Sequence, residues 1–148
     1  MLAMIKTVCS LVGFAFLSAC SAYDFPDPTP EDFAVHGIDI SRWQGDIDWD
    51  RVRQSGVAFA WIKATEGGDH ADPRFVDNWI GARKAGVRRG AYHFYYFCRP
   101  VEEQISWVKE VVPVDPQALP LVLDMEWNAH SKTCTTRPPR ERILPDMK

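Results

Sequence analysis

Four acidic side chains stand where apolar segments end. Asp39 lies in HGIDIS, Glu66 follows VAFAWIKAT, and Asp124 and Glu126 follow LPLVL. Side chains two apart on a strand point the same way, so Asp124 and Glu126 are expected on one face, with Cα atoms ~6.6 Å apart. The apolar run 121–123 forms a hydrophobic wall that raises the pKa of one carboxyl and leaves the other ionised. A protonated acid beside an anion is the arrangement that cleavage of a glycosidic bond needs. One group protonates the leaving oxygen, and the other faces the developing oxocarbenium ion. A single carboxylate at a strand end is usually a turn former or a helix cap; two on one face are less often structural. Trp43, Tyr92, Phe94, Tyr95, Tyr96 and Trp127 are expected at or near the same rim. Flat rings there suit sugar faces, although core packing is expected to account for at least half of them. His93 and His130 have no partner spacing that argues for a metal, and the cysteines show no zinc signature. No metal or cofactor is expected.

These residues need a frame, and the pattern from Val35 onward supplies one. Residues 35–41 form a short strand candidate. Asp48 caps a helix running to Gln54, closed by Ser55-Gly56. Residues 57–64 are nearly continuous in apolar character, as in a strand buried on both faces. Asp72-Pro73 then opens a second helix, with Phe75, Val76, Trp79, Ile80 and Arg83 at helical spacing and Gly86 at its end. Residues 89–97 read as an aromatic-rich strand. Pro100 begins a third helix with Val101, Ile105, Val108 and Val112 on one stripe, and residues 119–127 are a fourth strand. Strands alternating with helices indicate βαβ units and a parallel sheet, whose strand C-terminal ends form the ligand rim. No glycine-rich phosphate loop follows the first strand, which weighs against a nucleotide fold.

HGIDIS followed by Gln44-Gly45, then FAWIKATEG, DPRF, GAYHF and LVLDMEW, resembles glycoside hydrolase family 25 in order and spacing. These are the lysozymes that cut the β-1,4 bond after N-acetylmuramic acid in peptidoglycan. The resemblance covers about residues 35–128 and implies a modified (β/α) barrel of the TIM type, with a sugar cleft at the strand ends. It implies Glu126 as general acid. Asp124 is implied to orient the 2-acetamido group or act near the anomeric carbon, and Asp39 to bind and polarise in the cleft. Tyr92 is implied to line the cleft, with Phe94, Glu66 and Trp127 at the same rim expected to bind substrate beside it, and peptidoglycan is the implied partner. Family members continue for roughly another half-barrel, whereas 114 residues remain here from Val35, against ~250 in a typical complete barrel. The expected fold is therefore α/β, the N-terminal half of such a barrel over 35–148, with an unpaired apolar edge on its fourth strand. A non-catalytic peptidoglycan-binding lipoprotein and an inactive truncated remnant are the alternatives. A chitinase-type site is disfavoured because Val122 occupies the position two before Asp124.

The N-terminal residues have a separate logic. Lys6 precedes an uncharged apolar run over 7–17, too short for the ~20 residues that span a bilayer. The run ends in Leu17-Ser18-Ala19-Cys20, which resembles a bacterial lipobox. Residues 1–19 are thus expected to be a signal and Cys20 the site of lipidation and membrane anchoring; ordinary secretion is the alternative. Residues 20–34, with Pro26, Pro28 and Pro30 alternating, read as an extended tether. An oxidising compartment allows Cys98 and Cys134 to pair, each lying a few residues past a strand end. The 148 residues carry 17 Lys and Arg against 20 Asp and Glu, a net charge of −3, so no basic field exists to hold nucleic acid. The 46% hydrophobic and 25% charged fractions exclude wholesale disorder.

Overall fold

The computed structural model describes residues 28–127 and 131–147. The expected signal over 1–19, Cys20, most of the expected tether and His130 lie outside the described residues. A short 3-10 turn, Pro30–Asp32, leads into strand β1 (His36–Ile40). Then follow α1 (Trp49–Gln54), β2 (Val57–Glu66), the two-residue β3 (His70–Ala71), α2 (Phe75–Lys84), β4 (Arg88–Phe94), α3 (Val101–Val111), β5 (Val122–Asp124) and α4 (Arg140–Ile143). The sheet order is β1-β2-β4-β5, with parallel pairing along that path and β3 antiparallel on β2. This is an α/β fold, a parallel half-barrel sheet with helical crossovers.

The alternation of side chains divides the sheet into two faces. Ile40, Ala60, Ile62, Ala64 and Ala91 are buried on the helix side with Trp49, Phe75, Trp79, Ala82 and Val87. Asp39, Phe59, Trp61, Lys63, Tyr92 and Asp124 alternate with them and take the opposite, concave face. Two glycines on that face make room for large rings. A Cβ at Gly37 would overlap the Phe59 ring, and one at Gly90 would stand 2.7 Å from the Trp61 indole nitrogen.

Several element limits differ from the sequence expectation, for identifiable reasons. β2 continues through Glu66, which is therefore the last residue of the strand, because the β4 ladder accompanies it to Phe94. β4 stops at Phe94 and not at residue 97, since the chain turns there toward α3. β5 is three residues long, not nine. Its approach lies along β4, where the Leu119 N–H donates to the Arg89 carbonyl at 2.8 Å. Pro120 then has no N–H to continue the ladder. Beyond Asp124 the partner strand has ended, so Glu126 and Trp127 follow the strand instead of belonging to it. α2 begins at Phe75, and Asp72 acts one turn earlier. Its Oδ1 accepts from the Arg74 N–H at 2.8 Å and its Oδ2 from the Arg42 N–H at 2.9 Å. The buried face of α2 is Phe75, Asn78, Trp79 and Ala82, leaving Val76 and Ile80 exposed. In α3 the fully buried residue is Gln104, while Ile105 is exposed.

Candidate active site

Carboxylates from two strands converge on a tyrosine of a third. Asp39 is the fourth residue of β1, and Asp124 is the last of β5, in register with Phe94. Tyr92 stands between them on β4, paired with Lys63 on one side and Val122 on the other. The electrostatics record the convergence. Burial, and then the charges of Asp124 and Asp39, push the Tyr92 phenol well above its ordinary range, so Tyr92 remains a neutral donor. Burial raises the Asp124 carboxyl too, helped by the charges of Glu126 and Asp39 and opposed by Lys63. The rise thus falls on Asp124, although residues 121–123, expected to form the hydrophobic wall, are themselves exposed. Glu126 is exposed just beyond the strand, near enough for its charge to act on Asp124.

Glu66 belongs to a neighbouring cluster on β2. Its Oε2 accepts from Lys63 Nζ at 2.6 Å, and its Oε1 accepts from the Tyr96 hydroxyl. Burial alone would raise this carboxyl, but the Lys63 and Tyr96 hydrogen bonds and the Lys63 charge hold it below its ordinary value. Lys63 Nζ also lies 4.8 Å from the centroid of the Phe94 ring, a cation–π contact. Phe94 meets Tyr96 edge to face at 6.0 Å. Sequence reasoning included Lys63 in the FAWIKATEG match but gave it no role. The available signal was a lone cation inside an apolar strand.

The aromatic residues separate. Trp127 is exposed beyond β5, and Trp43 is exposed on the turn after β1, where the Arg42 guanidinium lies 4.5 Å from its ring centroid. Tyr95, expected near the rim, is instead buried on the helix side, because alternation sends it opposite to Phe94. Its hydroxyl donates to Asp146 at 2.9 Å, and burial with that carboxylate pushes the phenol up to about 12. His93 is a buried core histidine. Its Nδ1 is 2.8 Å from the Thr65 hydroxyl and its Nε2 3.1 Å from Gln104 Oε1. Cys98 and Cys134 form a disulfide with Cα atoms 5.5 Å apart, tying the loop after β4 to the segment before α4. Among the described residues, no group of three or more His, Cys, Asp or Glu could hold a metal ion.

A parallel half-barrel sheet with carboxylates and aromatic rings at its strand ends defines an α/β fold whose candidate site lies at the strand C-terminal rim. The chain belongs to the glycosyl hydrolases family 25, whose sequence model matches residues 38–145. Lysozyme M1 of Streptomyces globisporus is 40% identical over 112 residues, covering 68% of this chain and 35% of that protein. The N,O-diacetylmuramidase of Arthroderma benhamiae is 38% identical over 61 residues, covering 41% of this chain and 26% of that protein. Among solved structures, a family 25 glycosyl hydrolase from Bacillus anthracis superposes with a TM-score of 0.73 at 38% identity. That match covers 81% of this chain and 54% of the other. The chain therefore spans about a third of the length of the Streptomyces relative and about half that of the Bacillus structure.

Proposed function

We propose that the chain is a muramidase that hydrolyses the β-1,4 bond between N-acetylmuramic acid and N-acetylglucosamine in peptidoglycan. The carrying observation is the meeting of Asp39 and Asp124 around Tyr92, with Glu126 beside Asp124, at the strand ends of a family 25 fold. Glu126, exposed and open to an incoming sugar, donates its proton to the glycosidic oxygen as the bond to the anomeric carbon breaks. Asp124, ionised, faces the positive charge that develops there or orients the 2-acetamido oxygen toward it. Water then adds to the anomeric carbon and its proton returns to Glu126. Asp39 polarises the bound sugar, and Tyr92 donates a hydrogen bond at every working pH. Phe94, Glu66 and Trp127 line the groove.

Residues 1–19 act as the export signal, with lipid attachment at Cys20 and a Pro-rich tether over 20–34. The domain over 35–148 is thereby held at the cell envelope, where peptidoglycan lies. The uncharged run over 7–17 and the Leu-Ser-Ala-Cys sequence support this placement.

One observation favours a second reading, a wall-binding module without turnover. Among the described residues β5 is paired on one side only, with Leu121, Val122 and Leu123 exposed at 43%, 36% and 39%. Lysis of purified walls separates the two readings. The muramidase reading predicts lysis by the full chain and a loss of at least about 100-fold in Glu126→Gln, as for removal of a general acid. Equal lysis by that variant overturns the assignment of Glu126. Wall binding without lysis supports the second reading.

A further inference from the structure

We propose that Lys63 is a positioning residue that supplies the countercharge for Asp124 in the cleft, and that Glu66 and Tyr96 hold it in place. This rests on the muramidase reading of the cleft, but its test does not need turnover. Lys63 rises from the middle of β2 onto the concave face, in register with Tyr92. Its side chain is only 12% exposed, and a buried ammonium of this kind needs a fixed partner. Glu66, three residues on, supplies one at 2.6 Å, and the Phe94 ring supplies a second contact at 4.8 Å.

The clamp has its own support. The Tyr96 hydroxyl donates to Glu66, and the Tyr96 backbone is fixed from both sides by Gln104. Gln104 Oε1 accepts from the Tyr96 N–H at 2.8 Å, while its amide nitrogen donates to the Tyr96 carbonyl at 3.0 Å. Helix α3 thereby sets where the ammonium stands. Facing that ammonium or Asp124 are Asp39 from β1, Glu66 from β2, Tyr92 from β4, and Asp124 with Glu126 at the end of β5. His70 of β3 bears on Glu66 and His93 of β4 lies on the helix side. Phe94, whose ring Lys63 Nζ contacts, is the register partner of Asp124, so the ammonium stands on the same face beside that carboxylate, where its charge opposes burial and the charges of Glu126 and Asp39. A sugar cleft that needs an anion at Asp124 needs this countercharge.

The test is a carbon-13 titration of the Asp124 carboxyl in the full chain, with folding followed by circular dichroism. Lys63→Met is expected to shift the Asp124 midpoint upward, and Lys63→Arg to return it toward the wild-type value. Tyr96→Phe removes no charge and is expected to give a smaller upward shift, which keeps the test decisive if Lys63→Met does not fold. In wall hydrolysis the acid limb of kcat/KM moves to higher pH in the same order. An unmoved Asp124 midpoint in folded Lys63→Met, or in Tyr96→Phe where that variant is the one read, overturns the inference. Failure of the muramidase reading looks different: wild-type protein releases nothing from walls while the Asp124 shift persists.

Discussion

Asp124 bears opposing demands, because chemistry wants it charged while burial and the neighbouring carboxylates resist the charge. An aspartate with its folded pKa above its unfolded one adds stability below the unfolded value. It withdraws that stability as pH rises through the folded value. Asp124→Asn is therefore expected to stabilise the fold at neutral pH, by less than about 1 kcal/mol because the site is open to water. The gain should shrink toward about pH 4, where the unfolded carboxyl also protonates. Urea melts at both pH values check this, and a variant less stable than wild type at pH 7 contradicts it. The acidic residues of the site were conspicuous in the sequence because carboxylates directly after apolar runs are rare. Which of the pair is the more buried was not legible, since that depends on where β5 ends. Lys63 stood out only as a lone cation in an apolar strand, and its role was not legible: its partners Glu66, Phe94 and Tyr96 are brought to it by strand pairing and by α3.

At the level of elements, strand β4 and helix α3 are joined by a buried relay, with His93 only 1% exposed. Gln104 Oε1 accepts from the Tyr96 N–H, so it accepts from His93 Nε2–H as well. His93 Nδ1 then accepts from the Thr65 hydroxyl. Burial holds the His93 pKa below its ordinary value, so the ring is neutral in the fold. As pH falls through about 6.5 the unfolded chain takes up a proton before the folded one, and His93 withdraws stability there. A His93→Gln variant should show a shallower fall of melting temperature between about pH 7 and pH 5, whatever its starting value. An unchanged slope contradicts the neutral-ring assignment. The existence and order of the βα units were readable from apolar runs and caps, as in Asp48 before α1, whose side chain accepts from the Arg51 N–H at 3.0 Å. Their limits were not, because the ends of β4 and β5 are set by each other's ladders and by Pro120. The faces of α2 and α3 were likewise misread where a buried Asn78 or Gln104 takes an apolar-looking position.

Across the whole molecule, the segment 131–147 is held to the sheet through the Cys98–Cys134 disulfide and the Tyr95–Asp146 hydrogen bond. The bridge closes a span of 36 residues, for which chain entropy gives a stabilisation of roughly 3–4 kcal/mol. The Cys98→Ser, Cys134→Ser double variant should lose about that much in denaturant melts, and protease should cut first near residues 131–147. Unchanged stability contradicts a structural role for the bridge. The parallel half-barrel and its family were legible because five short motifs stand in register along the chain, four placing a strand end at the rim and DPRF opening α2. The disulfide was expected from two strand-end loops, whereas the anchoring of Asp146 under Tyr95 left no sequence signal across 51 positions. What the assembled cleft does is read most directly from the sugar it leaves with a free reducing end. Purified peptidoglycan digested by the full chain, reduced with borohydride and hydrolysed, should yield reduced N-acetylmuramic acid, and Glu126→Gln should yield none above background. Reduced N-acetylglucosamine in its place, or equal release by the variant, would contradict the account.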